Sequence, residues 1–97
     1  MICIREPQEQ EGTYYFSGKL FVTPAVLHHF TPTDILAIYL DIQSFVRENN
    51  GVDYLQIYIN DQGDKLYFID QLSKEMVDSG QYQVEDNYCT LMFAHEY

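Results

Sequence analysis

Basic residues are scarce in this chain. Five Lys and Arg stand against fifteen Asp and Glu, a formal net charge of −10. Phosphate contacts need Lys and Arg, so direct DNA or RNA binding has no support. Cysteine is also scarce. Cys3 and Cys89 are too few for a disulfide framework and show no zinc-site spacing, so both read as free thiols in a reducing cytoplasm. Tryptophan is absent. No apolar run is long enough for a membrane span, and Met1–Glu6 lacks the basic and apolar regions of a signal peptide, which predicts a soluble cytoplasmic protein that avoids membranes. No Gly-rich phosphate loop follows a strand, and no Gly-x-Ser-x-Gly elbow occurs.

What remains is a globular composition. Of the 97 residues, 46% are hydrophobic and nine are tyrosines, enough for a single domain over residues 1–97. The charge is uneven: residues 41–97 hold eleven acids against Arg47, Lys65 and Lys74. Such a field repels nucleic acid and attracts basic protein surfaces. The plainer reading of the acids is solubility.

The element signals point to an α+β fold in two layers, an antiparallel sheet covered on one face by one long amphipathic helix. Met1–Ile4 reads as a short edge strand and residues 5–12 as a loop. Thr13–Thr23 is rich in aromatic and β-branched residues and reads as β, with Ser17-Gly18 as a bend or tight hairpin. "TPTD" predicts a helix over about 32–50, with Thr31 as N-cap, Pro32 at its first position and Asp34 at its third. Ile35, Ile38, Tyr39, Ile42, Phe45 and Val46 form its apolar stripe, and Leu36 and Leu40 widen that face. Gly51 supplies a left-handed stop.

A β-hairpin is predicted over about 53–70, turning at "DQGD". Its alternation puts Leu55, Ile57 and Ile59 on the core face and Tyr54, Gln56 and Tyr58 on the other. On the return strand, Leu66 and Phe68 oppose Lys65, Tyr67 and Ile69. Residues 73–80 suit a short helix or a loop, and a last strand runs from about 88 to 95.

Catalytic signals are weak. On the last strand Cys89 and His95 share a face, but six residues separate them by about 20 Å. His95 and Glu96 point to opposite sides. His28 and His29 are adjacent, which does not suit a metal pair at i, i+4. Asp61, Asp64 and Asp70 do not fit a calcium loop. No catalytic residue, metal site or cofactor is therefore assigned. The binding candidates are Tyr54, Tyr58 and Tyr67 as anchors on an open sheet face, with Asp53, Asp61 and Asp64 as an acidic rim. The plainer reading is cross-strand tyrosine packing.

"FVTPAV", "SFVRENN", "LYFID" and "TLMFAHEY", in that order, resemble a family of small uncharacterised bacterial proteins carried on plasmids and phages. The resemblance implies a mobile-element setting, in which inhibitors of host defence nucleases are common, and it carries no active site. Three readings follow. The first is an acidic, non-enzymatic protein-binding domain, in its sharpest form a DNA-mimicking inhibitor of a basic nucleic-acid-handling enzyme of the anti-CRISPR or antirestriction type. The second is a structural module that forms a homodimer through the tyrosine face. The third is a small enzyme with an unrecognised site.

Overall fold

The computed structural model describes residues 3–97. Its elements, in chain order, are β1 (Cys3–Arg5), β2 (Lys19–Val22), α1 (Pro24–His29), α2 (Pro32–Asn49), β3 (Leu55–Asn60), β4 (Lys65–Asp70), α3 (Lys74–Asp78) and β5 (Tyr88–Phe93), with 3₁₀ turns at Val84–Asp86 and Ala94–Glu96. The class is α+β, as the sequence predicts. Residues 1–2 of the expected first strand lie outside the described residues.

The helix signals translate directly into geometry. The Thr31 hydroxyl accepts from the Asp34 N–H at 3.2 Å, and the Asp34 carboxylate accepts from the Thr31 N–H at 3.0 Å, a complete capping box. At the other end Asn50 takes the left-handed conformation, and Gly51 follows with φ of 112°. The left-handed turn therefore begins one residue before the predicted glycine. Ile35, Ile38, Ile42 and Val46 are buried. Leu36 and Leu40 are not: they are 54% and 57% exposed, so the buried face is narrower than the sequence reading.

The five strands lie in the order β1-β3-β4-β5-β2. Consecutive strands late in the chain pair antiparallel, as expected. The departure is at the edge, where β2 runs parallel to β5. The Thr13–Thr23 segment is not a hairpin. Tyr14 makes isolated bridges to Val52 and Ser73, Phe16 turns the chain at φ of 51°, and only Lys19–Val22 form a strand. Gly18 lies so close to the Asn87 carbonyl that any side chain there would collide with it.

The core joins the buried stripe of α2 to one sheet face: Tyr58 on β3, Leu66 and Phe68 on β4, and Cys89, Leu91 and Phe93 on β5. This reverses the predicted facing of β3. Tyr58 stands opposite Leu66, whereas Ile57 stands opposite Tyr67. Leu55, Ile57 and Ile59 thus lie with Tyr67 on the second face, and Gln56, Tyr58 and Asn60 point inward. Polar side chains tolerate burial where they find partners. The Tyr58 hydroxyl donates to Asp41 Oδ2 at 2.7 Å, and Gln56 Nε2 donates to Gln8 Oε1 and to the Asp53 carbonyl.

Candidate interaction surfaces

The predicted tyrosine face does not assemble. Tyr58 is 1% exposed, and its hydroxyl is held on Asp41 beneath α2. Burial and the neighbouring Asp41 carboxylate push its pKa well above the ordinary tyrosine value, since both oppose a phenolate. It is a core residue and cannot anchor a partner. Tyr54 is exposed, lies just before β3, and packs its ring 6.0 Å from that of Tyr14. Tyr67 alone sits mid-strand on the second face, with the Tyr97 ring 5.7 Å away.

The predicted rim breaks up in the same way. Asp53 is buried; its Oδ1 accepts from the Tyr54 N–H and from Gln10, and its N–H donates to Gln8. It ties down the segment after β1. Asp64 closes the hairpin turn, where its carboxylate accepts from Asn60 Nδ2 and lies 3.2 Å from His29 Nε2. Only Asp61 is an exposed acid with no structural task among those described.

Two surfaces take the place of that site. The first is the second sheet face. Leu55, Ile57, Ile59, Tyr67, Ile69 and Met92 are all half-buried there, and of the charged side chains on β3, β4 and β5 only Lys65 lies on this face, Asp70 being turned to the core side. Ile4 extends it at the β1 edge, 71% exposed, and Phe21 at the β2 edge, 50% exposed.

The second is α2, whose two flanks differ. Asp34, Asp41 and Glu48 recur every seventh residue and so share one flank, on which Asp34 and Asp41 lie beside β1. There Arg5 donates to Asp41 at 2.9 Å and stacks over the Phe45 ring at 3.6 Å. On the other flank Leu36 faces the groove beside β2, and Leu40, Gln43 and Arg47 continue its helical stripe. The sequence reading assigned Leu36 and Leu40 to the core and so missed this surface. The i, i+4 spacing of two leucines beside the main stripe was the available signal.

The weighed catalytic groups do not meet. Cys89 is buried, and its thiol is pushed up to about 12 by that burial and by the nearby Asp70. His95 lies on the closing 3₁₀ turn, stacked on the Phe93 ring at 5.2 Å. Among the described residues, no group of three or more His, Cys, Asp or Glu could hold a metal ion, and no helix is long and apolar enough to cross a membrane. Comparison with family models, with curated proteins and with solved structures finds no match.

Proposed function

We propose that this chain is a non-enzymatic protein-binding domain that engages its partner through the second sheet face. One observation carries the reading: the strands present a largely apolar face to which, among the described residues, they contribute no carboxylate. A chain of net charge −10 holds its acids elsewhere and leaves this area dry enough to desolvate cheaply. Ile57, Tyr67 and Met92 are central on it and are the anchors.

The test is affinity capture from native-host lysate with three forms of the protein, each checked for folding by circular dichroism. Ile57→Asp and Met92→Asp should lose the partner that the unmodified chain retains. Capture unaffected by both substitutions would remove the face from the function.

The acidic flank of α2 favours a second, narrower reading. Asp34, Asp41 and Glu48 form a regular row of carboxylates along one side of an 18-residue helix. Such a row fits a basic nucleic-acid channel, as an inhibitor of a nuclease or restriction component would require. In that case Asp34→Asn with Glu48→Gln should weaken capture, added duplex DNA should compete for the same partner, and raised salt should abolish binding.

A further inference from the structure

The edge of β2 is half used. The Lys19 and Thr23 N–H groups donate to Asn87 and Leu91 of the neighbouring chain segment, at 3.1 Å each. In a strand the backbone groups alternate in direction, so Leu20 and Val22 turn their N–H and C=O outward, away from β5. Their side chains fall on the core side, opposite Cys89 and Leu91. There they line a groove of about 310 Å³ with Leu27, Phe30, Leu36 and Tyr39. An unpaired strand edge and an apolar groove thus coincide, and an added strand would satisfy both.

We infer that the occupant is a second copy of this chain, its β2 paired antiparallel with this β2 about a two-fold axis through Phe21. Two observations favour it. Leu20 and Val22 bracket Phe21, so in that register Leu20 faces the copy's Val22 and each pair exchanges two backbone hydrogen bonds. The copy brings the apolar side chains that the groove lacks, its own Leu20 and Val22. Charge does not oppose it: none of the described residues lining the groove is acidic, and Asp34, Asp41 and Glu48 lie on the other flank of α2. The mutual repulsion of two chains of net charge −10 is therefore not concentrated at this contact. Lys19 at one end and Pro24 at the other confine the pairing to this short register. The product is a continuous sheet of ten strands. This interface borders the face proposed above for a protein partner at Phe21, and leaves its centre, Ile57, Tyr67 and Met92, uncovered.

Sedimentation equilibrium of the full chain over a range of concentrations and at two salt levels tests the inference. A reversible monomer–dimer equilibrium is expected, with association strengthened by salt as the repulsion between the copies is screened. Leu36→Glu, at an exposed position, should lower the association constant at least tenfold with an unchanged circular dichroism spectrum. Val22→Pro removes an outward N–H that the single chain does not use and should do the same. Ile57→Asp should leave association intact. Phe21→Cys, in a Cys3→Ser background, should form an intermolecular disulfide on mild oxidation, because residues facing each other at a non-hydrogen-bonded antiparallel position have Cα atoms about 4.5 Å apart. Lys19→Cys should not. A chain that stays monomeric at every concentration, or a dimer indifferent to Leu36→Glu and not crosslinked at Phe21, overturns the inference and leaves the edge to a strand of another protein.

Discussion

At the scale of the residue, the decisive positions are those where chemistry and geometry pull in different directions. Tyr58 illustrates this. Its polar tip suggests a surface, and the alternation of β3 is equally consistent with either face. What fixes it inside is Asp41, seventeen positions away, which accepts a hydrogen bond from its hydroxyl. No local pattern could report that pairing. Gly51 is a closer case: "NNG" marks the helix stop, but Asn50 and not Gly51 takes the left-handed turn. The φ of Gly51 is 112°, and an added Cβ would lie 2.9 Å from the Tyr15 ring and 3.0 Å from Thr13 Cα. Gly51→Ala should therefore cost more than the backbone term of about 1 kcal/mol alone, read as a lowered denaturation midpoint. Asn50 already takes the left-handed turn, and Asn50→Gly should cost little by comparison.

At the scale of the element, α2 was readable because its signals are local. Thr31, Pro32 and Asp34 stand within four positions, and the structure closes both hydrogen bonds of the box. Those bonds hold the Asp34 carboxyl below its ordinary value of 3.8, the backbone bond at Thr31 first. The sign follows directly. A depressed pKa stabilises the fold above the unfolded value, and the contribution is lost as pH falls through the folded one. Asp34→Asn should thus lower the melting temperature at neutral pH, with the gap to the unmodified chain closing in acid. Strand β5 was readable for its core face but not for its end. Phe93 is 8% exposed, and Phe93→Ala should cost about 3–5 kcal/mol in chemical denaturation. His95→Ala should cost far less, since that ring is exposed on the closing turn. The turn is held instead by Glu96, whose Oε1 accepts from the Phe93 N–H and the Thr23 hydroxyl at 2.9 Å each.

At the scale of the whole molecule, the α+β class was legible because helix and hairpin periodicities differ plainly along the chain. The sheet order was not. Pairing β2 with β5 in parallel is a contact between distant parts of the sequence, and no turn chemistry announces it. The facing of the hairpin failed for a related reason: once Leu66 and Phe68 are inside, the pairing register decides which half of β3 joins them, and no local pattern fixes that register. The charge, by contrast, is a global property that the sequence states outright. Fifteen acids on a molecule measuring 41 × 25 × 22 Å repel one another, and five basic residues offset few of them. Raising the salt from low to physiological ionic strength should therefore raise the melting temperature, as the screening length shortens to about 8 Å. A melting temperature that falls with salt would mean that the ion pairs, Arg5–Asp41 foremost, outweigh the repulsion.

The parallel pairing of β2 with β5 also bears on how the chain is made. A ribosome delivers residues from the N-terminus onward, at about 5–20 per second. Lys19–Val22 emerge early, yet their one sheet neighbour spans Tyr88–Phe93. For on the order of several seconds the nascent chain thus carries an apolar strand with both edges unpaired, in the crowded vicinity of other copies from the same message. Synthesis rather than the finished fold is then the period of greatest exposure to mispairing. The Lys19 and Pro24 that bracket the strand are placed to limit it.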